Sequence, residues 1–399
     1  MAKATERSAV VAKPRARPRT ILFGARIRGN PRLTLIPFAA LSGEERSGFG
    51  SLANDPALHG VVRDERGAVK VADHDTARLL DTLRESRRVE GELAEDEFNL
   101  VRLVLDGMIE VETCACDFVS GSRAYDIVCD AFSLPAPETK TARLSQMALQ
   151  HAQGLEIEEA VRVSVRLYFY GRLATSPSWL ARHSTRESIE RLLNIGPGGT
   201  LARKMRQAWR AVELEPTNDG WFLWSSREAP GGKRSDRYKL YVSPLPESVP
   251  AVFAAAADVA EEVGAVALKV GNDAASFLRP DKIVLYFSDL DRVSVAAGRL
   301  AHELAGCPGH GVPFTAELAD SDGLLSFGID PPRAEHALAW QERESWRLWL
   351  TNRLAVALVA ARRDGGSLEP WQYALARLEF DGVDPATWVP AVDLWDEAA

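Results

Sequence analysis

The chain is poor in cysteine and has no long hydrophobic run. Four cysteines among 399 residues are too few for the disulfide framework of small secreted proteins, and no apolar signal segment follows the charged N-terminus. The longest apolar run, "LAVALVAA" at 354–361, is far shorter than the ~20 residues that a membrane helix needs. We therefore expect a cytoplasmic protein without a membrane span.

The motifs of several common enzyme classes are also missing. There is no GxGxxG after a predicted strand, no Walker lysine motif, no HExxH pair and no GxSxG elbow. The stretch "NIGPGGT" lacks the lysine and the strand that a phosphate-binding loop requires, so we interpret it as a turn. No cofactor is expected.

Positive charge is concentrated at the N-terminus. The formal net charge is −8, yet residues 1–20 carry six lysines and arginines against one glutamate. Such a stretch is typical of a disordered basic tail. The rest of the chain is acidic and shows no basic face that could continue a contact with nucleic acid, so nucleic acid is not an expected partner.

Residues 21–135 mix short strands and helices. The patterns predict strands in "LHGVVRD" and "AVKVAD", helices in "HDTARLLDTLRES" and "EDEFNLVRLVLDG", and a hairpin from "MIEVET" to "DFVSG". This order resembles a winged helix, and also the small peptide-recognition modules of ribosomal-peptide maturation enzymes. We therefore expect a winged-helix-like, peptide-docking segment.

The remaining residues, 136–399, begin with a predicted helix in "APETKTARLSQMALQHAQGLEI". Alternation of Val161, Val163 and Val165 with polar residues then predicts a strand. From Tyr238 the patterns predict the order β-α-β-β-α-β, an antiparallel sheet with helices on one face, followed by a helical C-terminus. The predicted fold class is α+β, and the third strand of this unit should lie between the first and the second.

Several cations fall on or between these strands: Lys239, Lys269, Arg279 and Lys282, with Asp281 among them. Such a group is usually a solvated rim. However, an unpaired lysine inside an apolar strand is costly, and arginine and lysine together suit the binding of a phosphate. The alternative is therefore an anion pocket.

His310 lies in the loop "GCPGHGVPFTAE", where it could be an acid/base group or make a structural hydrogen bond. Cations, a base lysine and a histidine, without a metal or a nucleophile, suit β-elimination of phosphate from phosphoserine or phosphothreonine. A second interpretation of His310 is a zinc site with Cys114, Cys116 and Cys307, although cysteines are more often buried for packing.

Four stretches, "RVSVRLYFYGR", "YKLYVSP", "KVGNDAASFLRPDKIVLYF" and "CPGHGVPFT", resemble the HopA-type effector family over about residues 140–335. That family includes type III effectors and the lyase components of class V lanthipeptide and thioamitide pathways. The resemblance implies a lyase that eliminates phosphate from a ribosomally made precursor peptide. Its implied partners are that peptide, a separate kinase similar to aminoglycoside phosphotransferases, and a cyclase.

The resemblance also implies roles for individual residues. Lys269 or Lys282 would be the base and His310 the acid, with Lys239 and Arg279 as phosphate ligands. Arg166 would be a further phosphate ligand, although a strand arginine facing solvent is the simpler interpretation. Tyr241 and Asp281 would support the site.

A protein that binds a phosphorylated or acidic partner without turnover is the alternative function. The same cationic pocket would serve it. Replacing the base lysine distinguishes the two functions. An enzyme should lose turnover and keep most of its peptide affinity, whereas a binding protein has no turnover to lose.

Overall fold

The computed structural model describes residues 19–65, 67, 69–214, 220–228, 237–318, 320–331 and 345–390. The predicted basic tail lies outside the described residues, apart from Arg19 and Thr20. The described chain is of the α+β class, as predicted, with antiparallel sheets and a helical C-terminal part. No helix among these residues has both the length and the apolar character that crossing a membrane requires.

The strands, in chain order, are β1 (Arg26–Gly29), β2 (Thr34–Pro37), β3 (Leu58–Arg63), β4 (Val69–Asp73), β5 (Arg87–Arg88), β6 (Ile109–Glu112), β7 (Phe118–Val119), β8 (Trp209–Val212), β9 (Trp221–Ser226), β10 (Tyr238–Val242), β11 (Ala267–Gly271), β12 (Ile283–Phe287), β13 (Ala316–Glu317) and β14 (Leu325–Ile329). The α-helices are α1 (Gly43–Ser47), α2 (His74–Thr82), α3 (Glu92–Glu95), α4 (Glu97–Leu105), α5 (Tyr125–Val128), α6 (Lys140–Gln153), α7 (Ala160–Tyr168), α8 (Pro177–Arg182), α9 (Arg186–Leu192), α10 (Thr200–Ala208), α11 (Val249–Val263), α12 (Leu290–Glu303), α13 (Trp346–Asp364) and α14 (Pro370–Phe380).

The central sheet contains the predicted β-α-β-β-α-β unit, formed by β10, α11, β11, β12, α12 and β14. Its strand order is β13-β14-β10-β12-β11-β9-β8, so β12 lies between β10 and β11, as predicted. Leu240, Leu285 and Leu268 are paired in one row of the sheet and are fully buried in the core that α11 and α12 share. Burial of each such leucine contributes about 1.5–3 kcal/mol.

The opposite face of the sheet carries polar residues and meets α7 and α13. On β14, Gly328 allows the close approach of Trp346, since a Cβ at position 328 would overlap the indole ring. The Trp346 indole N–H donates a hydrogen bond to the Phe314 carbonyl at 2.9 Å. This contact anchors the first turn of α13 beside the polar face.

The predicted strand around Val163 is wrong, because this stretch forms α7. The buried positions are Val163, Ser164 and Leu167, which follow a helical repeat, whereas Val161 and Val165 are exposed. Alternating valines imitate a strand in so short a segment, and here the packing of the helical face overrides the β-propensity of the valines.

The N-terminal segment forms two small sheets, with the orders β5-β1-β6-β7 and β2-β3-β4. The hairpin predicted from "MIEVET" to "DFVSG" is present as β6 and β7, and the strands predicted in "LHGVVRD" and "AVKVAD" pair as β3 and β4. The C-terminal helices pack against it. The Tyr373 hydroxyl donates to the Leu105 carbonyl at 2.7 Å, and Arg377 pairs with Asp106 at 2.7 Å. The helices α13 and α14 therefore join the N-terminal segment to the central sheet.

Candidate active site

Three predicted residues share the polar face of the central sheet. Lys239 and Tyr241 are two positions apart on β10, and residues two apart on a strand point to the same face. Tyr241 is opposite Val284 on β12, and Val284 is opposite Lys269 on β11. Tyr241 and Lys269 therefore belong to one row, with roughly 10 Å between their Cα atoms, two interstrand spacings.

The Lys269 ammonium lies among aromatic rings. Its Nζ is 4.2 Å from the ring centroid of Trp221 and 5.6 Å from that of Tyr286. Lys269 makes no hydrogen bond or ion pair with any other described residue, and it stays partly open to solvent. Desolvation is the main cause that lowers the pKa of this amine, and Arg279 nearby lowers it further.

Asp281 is buried between two arginines. Arg279 donates to its two carboxylate oxygens through Nε and Nη2, both at 2.9 Å, and Arg347 from α13 pairs with Oδ2 at 2.9 Å. Burial alone would raise the pKa of the Asp281 carboxyl, but Arg347 and Arg279 together hold it well below its usual range. Asp281 therefore stays charged and fixes the orientation of the Arg279 guanidinium.

Lys239 completes the group. Its ammonium pairs with Asp330 at 2.5 Å, and Asp330 also accepts a hydrogen bond from the backbone N–H of Trp346 at 2.7 Å. We call Lys239, Lys269, Arg279, Arg347, Asp281 and Asp330 the cationic cluster. Lys239, Arg279 and Arg347 are cationic and two members are anionic, so the cluster has a surplus of one positive charge while the Lys269 amine is neutral and of two when it is protonated. A phosphate monoester carries about −1.5 to −2 at neutral pH, so the cluster attracts it in either state.

Aromatic rings line the cluster on the α7 side. The Arg279 guanidinium carbon is 5.7 Å from the Tyr168 ring centroid, 5.3 Å from that of Phe169 and 5.0 Å from that of Trp221. The Tyr168 hydroxyl lies 3.4 Å from both Arg279 and Asp281. These rings exclude water from one side of the arginine and strengthen its interaction with an anion.

Lys282 and His310 form a separate, closed pair. The Lys282 amine is fully buried and donates to the Pro244 carbonyl and to His310 Nδ1, both at 2.8 Å. The Gly171 carbonyl, 2.6 Å from His310 Nε2, can only accept, so Nε2 carries the ring proton. Burial lowers the pKa of Lys282 to about 7 and, with the nearby Lys282 charge, that of His310 to about 4.

Both groups of this pair are therefore already satisfied. At neutral pH the imidazole is neutral, its one N–H is bound to a backbone carbonyl, and the lysine donates to two acceptors. The pair links the residue before β12 to Pro244 after β10, to the loop that contains His310 and to Gly171 after α7. It thus joins four chain segments.

Tyr241 is a further proton donor on the polar face of the sheet. Burial and then the charge of Asp330 raise the pKa of its phenol well above the usual range, so it stays protonated. Its hydroxyl makes no hydrogen bond with the described residues, and the side chain is 4% exposed. The proton of Tyr241 is thus not committed to a structural contact.

Two predicted arrangements do not form. Arg166 is exposed on α7 and has no contact with the cationic cluster. Cys114 and Cys116 are exposed and Cys307 is half-buried, and no three metal-ligating side chains among the described residues converge on one point. His310 is engaged by Lys282 and Gly171, so the four residues of the zinc interpretation do not assemble.

Sequence reasoning missed five residues that shape the site: Tyr168, Trp221, Tyr286, Asp330 and Arg347. A weak signal existed for Arg347, which is a cation between two tryptophans on an otherwise apolar helix face and is 1% exposed. The partners of the other four residues are distant in sequence, so no local pattern marks them.

No protein-family model matches the sequence, and the search of curated proteins finds no match. Among solved structures, the chain is similar to an effector protein from Pseudomonas syringae pv. tomato strain DC3000, with 13% identity and a TM-score of 0.42, covering 63% of this chain and 97% of that one. An effector from Pseudomonas syringae pv. syringae strain 61 shows 15% identity and a TM-score of 0.41, with coverage of 64% and 99%.

The type III effector and phosphothreonine lyase OspF from Shigella flexneri is also similar, with 15% identity, a TM-score of 0.27 and coverage of 36% of this chain and 84% of that one. At these values the likeness by itself establishes neither a family nor an activity.

Proposed function

We propose that this protein is a phosphopeptide lyase that eliminates phosphate from phosphothreonine or phosphoserine. The observation that carries the proposal is the Lys269 amine, which has a lowered pKa and no polar partner among the described residues, within the cationic cluster that also holds Arg279 and Lys239. A base without a partner next to an anion site is what this elimination requires.

Lys269 is the base in this proposal. Its neutral amine removes the Cα proton of the phosphorylated residue, and the electron pair of that C–H bond forms the Cα–Cβ double bond. Desolvation raises the fraction of neutral amine at physiological pH. Lys282 is less suited to this role because it is fully buried and bound to Pro244 and His310.

The cationic cluster binds the leaving phosphate. The Cβ–O bond breaks and its electron pair leaves with the phosphate, so negative charge grows on the phosphate oxygens. Arg279, held by Asp281, and Lys239, held by Asp330, offer oriented N–H groups to this charge. Preorganised donors of this kind contribute more in a partly desolvated site than in water.

Tyr241 is the acid in this proposal, in place of His310. Its phenol proton passes to the departing oxygen, and proton exchange with solvent then restores Tyr241 and the neutral Lys269. The products are inorganic phosphate and a dehydroamino acid, dehydrobutyrine from threonine and dehydroalanine from serine. His310 has no proton to give, because its only N–H is bound to Gly171.

The wider context follows from the substrate. A kinase must supply the phosphorylated residue, and a ribosomally made precursor peptide is the substrate that the sequence resemblance favours. The proposed partners are thus a precursor peptide, a kinase similar to aminoglycoside phosphotransferases, and a cyclase that adds thiols to the dehydroamino acids.

The test is mass spectrometry of a synthetic phosphothreonine peptide incubated with the purified protein. We expect loss of phosphoric acid and appearance of a dehydrobutyrine residue that reacts with an added thiol. A product peptide with an unphosphorylated threonine residue would indicate a phosphatase and contradict the proposal. A peptide that binds and stays intact would instead favour a non-catalytic phosphopeptide-binding protein.

A further inference from the structure

The outer face of α7 carries an unusual amount of exposed apolar surface. Val161, Val165 and Phe169 are 68%, 48% and 40% exposed. They recur every four residues, so they form one stripe along the helix and its C-terminal cap. Residues that face the core, Val163 and Leu167, lie on the other side, so the exposed stripe is not needed to hold α7 in place.

Two arginines lie along one side of this stripe, and a third follows it in sequence. Arg162 and Arg166 follow Val161 and Val165 by one position each, and Arg172 comes just beyond the end of α7. Arg162 pairs with Glu159 at 3.3 Å, whereas the exposed Arg166 and Arg172 make no ion pair with any described residue. The surface is therefore apolar along its middle and positively charged along one side.

The stripe leads directly to the cationic cluster. Phe169 ends it, and the Phe169 ring centroid is 5.3 Å from the Arg279 guanidinium carbon. Tyr168, the last residue of α7, contacts both Arg279 and Asp281. A peptide whose phosphate lies at Arg279 would therefore place its neighbouring residues over Phe169, Val165 and Val161 in turn.

We infer that the outer face of α7 binds the residues that flank the phosphorylated threonine or serine, and that it selects apolar and acidic side chains there. This inference rests on the proposed function of the cationic cluster. The helix has nine residues and is therefore roughly 13 Å long, which about four residues of an extended peptide would span. Apolar side chains would cover the stripe and carboxylates would meet Arg166 and Arg172.

Binding of paired peptides tests this inference. Fluorescence anisotropy compares two labelled phosphothreonine peptides, one with leucine and glutamate in the adjoining positions and one with glycine and serine there. The flank is placed before the phosphothreonine in one pair and after it in another. The background variant is Lys269→Met, so that no peptide is consumed. We expect the leucine–glutamate flank to tighten binding about tenfold in one of the two pairs.

Val165→Asp should reduce this tenfold ratio to near one, because it places a carboxylate on the stripe. Arg166→Glu should lower it by removing the attraction for glutamate. The matched control is Val295→Asp, which changes a valine that is 50% exposed on α12 and should keep the ratio. The ratio of the two peptide affinities is compared because any effect of a substitution on phosphate binding is the same for both peptides and cancels.

The outcomes separate this inference from the proposed function. If the preference for the leucine–glutamate flank disappears in Val165→Asp, peptide binding by the outer face of α7 is supported. This holds even if the wild-type protein eliminates no phosphate. If the protein eliminates phosphate but shows no preference between the two flanks, peptide binding by the outer face of α7 is contradicted and the lyase proposal stands. Equal ratios in Val165→Asp and Val295→Asp overturn the surface as well. A wild-type dimer that Val165→Asp dissociates, with no flank preference, assigns the stripe to self-association and overturns peptide binding.

Discussion

Lys269 lies on β11 and Lys282 immediately precedes the neighbouring strand β12, and desolvation lowers the pKa of both amines. Their surroundings nevertheless differ. Lys269 is partly open and lies against the rings of Trp221 and Tyr286, with no hydrogen bond to the described residues. Lys282 is fully buried and donates to Pro244 and to His310.

The difference shows that a lowered lysine pKa does not by itself mark a catalytic base. Burial disfavours the charged form wherever it occurs. What separates the two lysines is whether the amine has acceptors that hold it and whether a substrate can reach it. On both counts Lys269 suits chemistry, and Lys282 suits the linking of chain segments.

The largest expected effect comes from Lys269→Met. It should lower the rate of phosphate elimination by about 10³-fold or more, because the base is lost, while the unfolding midpoint changes little. Phosphate release and mass spectrometry measure the rate. Lys204→Met, which changes an exposed lysine paired with Asp258, is the control and should keep full activity. If Lys269→Met kept full activity and Lys282→Met were inactive, the base would be Lys282 and not Lys269.

The next effect is on stability. Asp281→Asn should lower the free energy of unfolding by about 3–5 kcal/mol, since it leaves Arg279 and Arg347 without their buried carboxylate. Urea unfolding followed by tryptophan fluorescence measures this. Asp322→Asn removes an exposed carboxylate paired with Lys140 and should cost less than about 1 kcal/mol. Equal losses in the two variants would mean that the buried arginines do not depend on Asp281.

Tyr241→Phe sharpens the assignment of the acid. We expect kcat to fall about 10²-fold with little change in peptide affinity, because only the proton donor is removed. Stability should be nearly unchanged, since the Tyr241 hydroxyl bonds to no described residue. Tyr170→Phe is the control. A large loss in His310→Gln with normal kcat in Tyr241→Phe would return the acid role to His310.

The smallest expected effect is a pH dependence at Lys282. The pKa of Lys282 is about 7 in the folded protein, compared with an ordinary 10.5. Between these values the unfolded chain binds the proton and the folded protein does not, so this group makes folding more favourable as pH rises.

Lys282→Met removes this dependence. Between pH 7 and pH 8.5, the free energy of unfolding of the wild type should therefore rise by about 1–2 kcal/mol more than that of the variant. Urea unfolding of both proteins at each pH measures the gain. If the difference between the two free energies of unfolding stayed constant across this range, Lys282 would be charged in the folded protein. Its buried amine would then not have the lowered pKa of about 7.

The order of the central sheet was predictable from local patterns. The strands at Leu240, Leu268 and Leu285 alternate or run apolar between clear breaks, and Gly264, in the left-handed conformation with φ 77°, ends α11 as expected of a C-terminal cap. Two positions apart on one strand, Lys239 and Tyr241 had to share a face.

The structure of α7 was not predictable in the same way. Its nine residues satisfy both a two-residue and a helical repeat, and only the partners on α13 decide between them. The hydroxyl of Ser164, for example, is 3.1 Å from that of Thr351 in the buried contact between these helices. A short segment with two compatible periods takes the structure that buries its better-packed face.

The fold class, the position of β12 between its neighbours and the presence of cations on and between the strands were predictable, because they follow from the spacing of residues along single elements. Which lysine is open and which is closed, and the completion of the cluster by Asp330 and Arg347, depend on contacts between elements that are distant in sequence. The physical reason is that desolvation and ion pairing depend on the atoms that surround a group, and here those atoms come from α7, α13 and β14, far from the lysines in sequence.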